Sequence, residues 1–316
     1  MKKISVCIPT FNEANNIEKA VVEVENLFRK SLNTYQLEII VTDNASQDGT
    51  WERIRELASQ RTHLKAARFS RNFGYQNSIF AGLCLSTGDA VVELDADLED
   101  PPEVIVEFVR VWEQGYQVAY GVRRSRHNGW LRKKMIGLYY FIFERLSDFQ
   151  IPRDAGDFRL LDRKVVEVLK ALPERNLYLR GLVSFAGFQQ MGIPYDRNPR
   201  QSGASKFSLW SYLVLAFDAV TSFSKKPLRL ISGMGIFVMI LSLGLAAYYL
   251  IERLFYGTPI QGFATLAILI LFFQSLIFLA LGVIGEYLSR IFDDAKARPR
   301  VIIAEGLNLP QSPEFL

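Results

Sequence analysis

The sequence predicts an α/β chain: a Rossmann-like, mostly parallel sheet domain, with amphipathic interfacial helices and two C-terminal transmembrane helices after it. Three observations carry this. Short apolar runs alternate with helical patterns through the first third of the chain, one such run ends abruptly in the acidic pair Asp95 and Asp97, and two long uncharged stretches occupy residues 230–251 and 262–285. Strands that alternate with helices pair in parallel through right-handed crossovers. Uncharged runs of that length are long enough to span a bilayer.

Residues 4–8 read as a buried strand that stops at Pro9, and the loop Thr10-Phe11-Asn12-Glu13 leads to a helix over 16–30. A second strand over 37–42 ends in Asp43-Asn44-Ala45-Ser46. Asp48-Gly49-Thr50 then opens a helix with Trp51, Ile54 and Leu57 at helical spacing. A strand over 64–69, a helix over 72–85 and a strand over 90–94 follow. In a parallel sheet the tips after Ile8, Thr42 and Leu94 share one edge, where open α/β sheets bind ligands; Pro9, Asp43, Asp95 and Asp97 lie on it. Beyond the acidic pair, Asp100 is expected to N-cap a helix, with Pro101 and Pro102 in its first turn and Glu103 closing a capping box.

Asp95 and Asp97 are hard oxygen ligands with no His or Cys nearby, a set that suits Mg²⁺ or Mn²⁺, ions that usually also hold substrate phosphates. An acidic pair is more often a solvated loop, and its place at the end of a strand is what favours a metal here. No G-x-G-x-x-G follows the first strand and no G-x-x-x-x-G-K-[ST] occurs, which argues against dehydrogenase and P-loop chemistry. Without a glycine-rich cradle, a diphosphate needs another source of neutralising charge, and a metal on Asp97 supplies one.

The 316 residues are 49% hydrophobic and 22% charged, with a mean hydropathy of +0.10. That is too apolar for an ordinary soluble enzyme and too charged for a pure membrane bundle. A net charge of +4 argues against nucleic acid as the main partner and, near a bilayer, favours anionic lipid or phosphate. Cys7 and Cys84 form no metal or disulfide pattern and are expected as reduced core residues. Met1-Lys2-Lys3 leads directly into a strand, so no signal peptide is expected.

From Val118 the character changes. Residues 130–146 mix Arg132, Lys133 and Lys134 with apolar and aromatic side chains, as in a helix on a membrane surface or an ordinary surface helix. Ala155-Gly156-Asp157-Phe158-Arg159 is expected to precede another strand-and-helix pair. Asp157 reads as a pocket carboxylate or a turn residue, and local sequence favours the turn. Pro199-Arg200-Gln201-Ser202-Gly203-Ala204-Ser205-Lys206 is a polar loop that abuts a long apolar stretch. Its Arg, Lys and Ser side chains suit a phosphate grip, with a solvated linker as the alternative. Lys225, Lys226 and Arg229 precede the first uncharged run, and Arg290, Lys296, Arg298 and Arg300 follow the second, with Arg253 alone between them. Both flanks are thus expected in the cytoplasm.

Taken together the chain resembles the polyprenyl-phosphate glycosyltransferases of the inverting GT-A class, including bacterial bactoprenol glucosyltransferases and, more distantly, dolichyl-phosphate mannose synthase. The resemblance rests on Val6-Cys7-Ile8-Pro9-Thr10-Phe11-Asn12-Glu13, Asp43-Asn44-Ala45-Ser46-Gln47-Asp48-Gly49-Thr50, Ser70-Arg71-Asn72-Phe73-Gly74, Asp95-Ala96-Asp97-Leu98-Glu99-Asp100-Pro101-Pro102-Glu103, Gly156-Asp157-Phe158-Arg159 and Arg200-Gln201-Ser202-Gly203-Ala204-Ser205-Lys206. It departs from the family pattern at Glu99, where Gln is usual, at Asn44-Ala45-Ser46 and at Ala14-Asn15.

The resemblance implies that Pro9, Glu13, Asp43, Asp95 and Arg71 bind the nucleotide sugar, and that Asp97 and Asp95 hold Mg²⁺ or Mn²⁺. It implies that Asp157 and Asp97 serve catalysis, with Asp157 facing the acceptor and Asp97 the metal-diphosphate, and that Arg200, Ser205 and Lys206 grip the lipid phosphate. The expected activity is transfer of a hexose, glucose from UDP-glucose above others, to undecaprenyl or another polyprenyl phosphate, with inversion. The expected domains are a GT-A catalytic domain over 1–206, a juxtamembrane amphipathic segment over 207–229, a two-helix anchor over 230–288 and a tail over 289–316. The expected location is the plasma (inner) membrane, multi-pass, with catalytic domain and both termini cytoplasmic and room for self-association. Two rivals are a processive polysaccharide synthase, which lacks support because no Q-x-x-R-W segment occurs, and a membrane-anchored scaffold with a degenerate site.

Overall fold

The computed structural model describes residues 1–124, 155–175, 177–198, 226–256 and 262–309. The expected surface helix over 130–146 and the loop carrying Arg200, Ser205 and Lys206 lie outside the described residues. Two units result. The first comprises the described residues up to 198 together with 297–309, and the second comprises 226–296.

The first unit is built on an eight-stranded sheet of order β7-β5-β6-β4-β1-β2-β3-β8. Its strands are β1 (Lys3–Thr10), β2 (Gln36–Asp43), β3 (Leu64–Phe69), β4 (Ala90–Glu93), β5 (Val118–Arg123), β6 (Ala155–Asp162), β7 (Gln190–Tyr195) and β8 (Ile303–Leu307). β1 pairs in parallel with β2 and β4, placing Cys7 between Ile40 and Glu93, and β3 continues the parallel block. The first strand runs on through Pro9 rather than stopping there. Pro9 faces Thr42 and lies past the end of the β4 pairing, where its missing N–H costs no ladder bond.

The expectation of a mostly parallel sheet holds for this block and for β5 with β7, and is broken by two strands. β6 runs antiparallel between β4 and β5, and β8 runs antiparallel to β3. Apolar periodicity reveals that a segment is a strand but not its direction. That depends on which neighbour the connection reaches.

Helices α1 (Ile17–Ser31), α2 (Thr50–Ser59) and α3 (Tyr75–Leu85) cover the parallel block, and α4 (Val104–Glu113) packs on β5, β6 and β7. α1 buries Ile17, Ala20, Val21, Val24, Leu27 and Phe28, a helical stripe, and α4 buries Ile105, Phe108, Val109 and Trp112. α3 packs closely on β1: a Cβ added at Gly82 would stand 3.1 Å from Cys7 Cβ and 3.2 Å from its Sγ. Cys7 is buried and Cys84 half-buried, both free. α5 (Arg163–Ala171) is N-capped by Asp162, whose Oδ1 accepts from Lys164 N at 2.9 Å. α6 (Leu179–Phe185) precedes β7.

The second unit consists of α7 (Lys226–Tyr256) and α8 (Phe263–Lys296). Large apolar side chains stand exposed along both, among them Phe237, Leu254, Leu271 and Phe278. Among the described residues one helix is long and apolar enough to cross a membrane, through the 28-residue stretch Leu269–Lys296, whose most apolar 18-residue window has a mean hydropathy of 2.1. The apolar stretch Gly233–Leu245 of α7 is shorter.

Candidate functional site

The C-terminal tips of β1, β2 and β4 meet in register, with Thr10 opposite Asp43 and Cys7 opposite Glu93, so the expected ligand edge exists. Pro9 is buried at this edge, and Asp43 is buried beside it. The Asp43 carboxylate accepts from Ser46 N at 3.3 and 3.4 Å and pairs with Arg68 Nε at 3.5 Å. Burial raises its pKa above the ordinary carboxylate value against those partners. Glu13 lies in the loop after β1, receives Asn16 Nδ2 at 2.6 Å, and is also raised, by burial and by the charge of Asp97. Arg71 is exposed; its guanidinium lies 4.2 Å over the Phe73 ring and donates to Asn72 O.

The loop after β4 carries the acidic pair. Tyr75, the first residue of α3, donates its hydroxyl to Asp95 Oδ1 at 2.6 Å. Glu99 N donates to Asp97 Oδ1 at 3.1 Å, closing a tight turn across Leu98. Leu98 has φ +51°, a left-handed conformation that costs a non-glycine residue about 1–3 kcal/mol and persists only when its surroundings enforce it. Burial, then the charges of Asp97, Asp157 and Asp100, push the Asp95 carboxyl up to about 7, against the hydrogen bond from Tyr75. A divalent cation fits this loop, because it would offset the burial and the like charges that disfavour an ionised Asp95. Among the described residues no group of three metal-ligating side chains is arranged around one point. A cation on Asp95 and Asp97 would therefore complete its coordination with substrate oxygens or water.

The helix after this loop does not start as expected. Asp100 is not its cap and Glu103 closes no capping box. α4 begins at Val104 with Glu103 in the capping position and no side-chain cap bond, while Val104 N and Ile105 N donate to the carbonyls of Pro101 and Pro102. The Asp100 carboxylate is taken by more distant partners: Tyr195 Oη at 2.6 Å, Arg197 Nε at 3.0 Å and Arg123 Nη2 at 3.3 Å. A charge-assisted pair with two guanidiniums outbids a local backbone cap.

Asp157 lies within β6, not in a turn before a strand. Because β6 runs antiparallel to β4, with Arg159 opposite Glu93, its first residues arrive at the edge that bears Asp95. Arg180 of α6 holds both Asp157 oxygens, Nε to Oδ1 at 2.9 Å and Nη2 to Oδ2 at 2.8 Å, and Arg159 Nη2 adds a contact to Oδ1 at 3.2 Å. Burial alone would raise the Asp157 pKa; Arg180, Arg159 and Arg123 together bring it below the ordinary value. Beneath lies Glu93, buried, with Arg159 Nε 3.5 Å away and its own pKa pushed up to about 8 by burial and by Asp157 and Asp95. Leu179 N donates to Gln76 Oε1 at 3.0 Å, so the starts of α6 and α3 meet where Arg180 and Tyr75 reach their aspartates.

The structure thus brings Glu13, Asp95, Asp97 and Asp157 into one electrostatic neighbourhood, with Asp43 and Pro9 on the same sheet edge. Sequence reasoning missed Tyr75, Arg180 and Arg197. Tyr75 directly follows the Ser70–Gly74 motif, which was a usable signal. Arg180 and Arg197 stand in unremarkable polar surroundings and become visible only through their partners.

This mixed sheet, with a parallel block that ends in an acidic loop, is the GT-A class of α/β fold. The solved mannosyltransferase of Pyrobaculum calidifontis, in complex with GDP-Man and Mn²⁺, shares this fold with a TM-score of 0.50 at 17% identity, over 94% of this chain and 86% of that one. The chain belongs to Glycosyl transferase family 2, whose sequence pattern matches residues 5–170. It is 38% identical over 305 residues to a bactoprenol glucosyl transferase of Shigella phage SfX, covering 95% of this chain and 98% of the relative. It is 35% identical over 312 residues to an uncharacterized glycosyltransferase of Synechocystis sp., covering 98% of both.

Proposed function

We propose that the chain transfers a hexose, with UDP-glucose as the favoured donor, to a polyprenyl phosphate such as undecaprenyl phosphate at the cytoplasmic face of a membrane. The observation that carries this reading is the approach of Asp157 to the Asp95–Asp97 loop, which sets an acceptor-side carboxylate against a donor-side acidic pair. The near full-length relatives named bactoprenol glucosyl transferase support the lipid acceptor and the glucose.

In this reading Pro9, Glu13, Asp43 and Arg71 bind the nucleotide, and Asp95 and Asp97 hold Mg²⁺ or Mn²⁺. When bound, that ion neutralises the diphosphate and the charge it gains as a leaving group. Arg200, Ser205 and Lys206 grip the acceptor phosphate. A phosphate oxygen attacks the anomeric carbon from the face opposite the diphosphate, the sugar–diphosphate bond breaks, and the nucleoside diphosphate departs with inversion. The acceptor phosphate is largely ionised at neutral pH, so little base strength is required. Asp157, held ionised by Arg180, suits orientation of the acceptor side more than strong proton abstraction.

The apolar stretch of α8 supports a membrane-bound enzyme. We read α7 and α8 together as a two-span anchor with the catalytic domain and both flanks cytoplasmic, in a plasma membrane, leaving room for a homo-oligomer. The test is a screen of nucleotide sugars with undecaprenyl phosphate and Mg²⁺ or Mn²⁺, with the lipid product separated by thin-layer chromatography. A single glucosylated lipid is expected from UDP-glucose. Absence of any lipid-linked sugar from every donor would overturn the reading.

A further inference from the structure

The turn that begins at Asp43 is clamped from the side by a guanidinium. Ser46 N donates to both Asp43 oxygens at 3.3 and 3.4 Å. The turn passes through Ala45 at φ +61°, a left-handed conformation that a non-glycine residue keeps only when its surroundings enforce it. Arg68, near the end of β3, supplies that constraint at two points. Its Nε stands 3.5 Å from Asp43 Oδ2 and its Nη2 donates to Ser46 O at 3.2 Å, so one planar fork spans the turn from first residue to last. The guanidinium in turn lies over the Trp51 ring, its Cζ 5.9 Å from the ring centroid.

Trp51 is fully buried at the start of α2, and its indole Nε1 donates to Glu305 Oε2 of β8 at 2.9 Å. Arg55, one turn further along α2, donates Nη2 to the two Glu305 oxygens at 3.0 and 3.1 Å. Glu305 also stands opposite Arg68 in the antiparallel ladder of β8 and β3. At the far end of α2, Asn308 Nδ2 donates to Ala58 O at 3.0 Å and to Leu64 O at 2.8 Å. Val301 and Ile303 are buried in one apolar cluster with Ala67, Phe69 and Ala81. β8 follows α8 in the chain and lies outside the residues 5–170 that match the family pattern, yet it fixes both the helix and the strand that flank the Asp43 turn.

We propose that Arg68 is a positioning residue for the donor nucleotide, and that the C-terminal strand keeps it in place through Glu305 and Trp51. The segment beyond α8 thereby takes part in donor binding through Asp43 and not by direct contact. This deepens the reading above and rests on Asp43 being a nucleotide ligand. Because the turn belongs to the donor side, loosening it weakens the donor complex and leaves the saturated rate nearly unchanged.

Calorimetry of the full-length, detergent-solubilised protein with UDP and Mn²⁺ tests this, alongside steady-state kinetics with UDP-glucose and undecaprenyl phosphate. Arg68→Ala is expected to weaken UDP–Mn²⁺ binding and raise the donor KM about tenfold, with kcat nearly unchanged. Arg68→Lys keeps the charge but cannot span the turn, and is expected to recover only part of the loss. Glu305→Ala, at a partly exposed edge position, is expected to weaken binding about threefold. The double variant is expected to bind as Arg68→Ala does, because Glu305 acts only through Arg68. Unchanged affinity in Glu305→Ala, additive losses in the double variant, or a fall in kcat without a rise in donor KM overturns the proposal. Should Arg68→Ala fail to fold by circular dichroism, Trp51→Phe, which keeps a ring and loses the bond to Glu305, replaces it in the cycle, and the same outcomes decide. Asp43→Ala separates the two readings. Affinity equal to that of the unmodified protein there overturns the nucleotide-site assignment and the proposal with it, whereas loss there with none in Arg68→Ala overturns the clamp alone.

Discussion

Arg180 grips Asp157 with both prongs of its guanidinium, Nε to Oδ1 at 2.9 Å and Nη2 to Oδ2 at 2.8 Å, across 23 residues of sequence. A forked pair of this kind fixes the plane of the carboxylate as well as its charge. It makes Asp157 a rigid, ionised feature of the site.

Arg180→Ala is expected to lower kcat about tenfold or more while leaving the donor KM little changed, because the carboxylate loses its orientation but remains present. Arg180 acts to depress the Asp157 pKa, so its removal lets burial raise that pKa. The acid limb of the pH–rate profile then moves to higher pH. Asp157→Asn is expected to lower turnover more than donor binding. Steady-state kinetics across pH check both; a donor-binding defect alone in Asp157→Asn would place that side chain on the donor side.

Tyr75→Phe removes the hydroxyl that donates to Asp95 and leaves the ring. That bond favours the ionised carboxylate, whose pKa is already raised to about 7. Its loss raises the pKa further, so at pH 7 more of Asp95 is protonated and fewer molecules bind a cation. Calorimetry with Mn²⁺ and UDP is expected to record affinity several-fold weaker at pH 7, a deficit that shrinks at pH 8.5. A deficit independent of pH would point to misplacement of Asp95 and not to its protonation.

Asp97→Ala deletes one of the two carboxylates assigned to the cation and is expected to abolish turnover and Mn²⁺-dependent UDP binding while leaving the fold intact. Circular dichroism and calorimetry on the same preparation separate the two. Near-normal turnover in this variant would end the metal assignment.

Far from the site, Glu38 is buried and accepts hydrogen bonds from Lys65 Nζ at 2.6 Å, Ser5 Oγ at 2.5 Å, and Thr87 N and Oγ1 at 2.8 and 2.6 Å. Burial alone would raise its pKa, but these donors lower it from 4.5 to about 2. A depressed carboxylate contributes stability above its unfolded value and loses it as pH falls through the folded value. Glu38→Gln is expected to be less stable than the unmodified protein at pH 7, by about 2 kcal/mol, with the gap closing between pH 4.5 and pH 2. Chemical denaturation of the detergent-solubilised protein at several pH values reads this directly.

Much of the sheet edge was legible because local pattern and burial coincide there. The runs that became β1, β2 and β4 are apolar, end in polar residues, and alternate with helical stripes such as Ile17-Ala20-Val21-Val24 in α1. That places Pro9, Asp43, Asp95 and Asp97 on one edge without knowledge of any contact. Asp100 was misread because an Asp before two prolines satisfies every local rule for a cap, while its real partners, Tyr195 and Arg197, lie 95 and 97 residues away.

Sequence alone determined that this is an alternating α/β chain with an acidic loop at a strand end and two apolar helices, Lys226–Tyr256 and Phe263–Lys296, because strand and helix periods and runs of hydropathy are written locally. Tertiary structure decided that β6 enters antiparallel beside β4. A parallel β6 would have left Asp157 at the opposite edge of the sheet from Asp95. It also decided which arginines hold which carboxylates, since a guanidinium chooses its partner by distance and geometry in the folded state and leaves no mark on its neighbours in the chain.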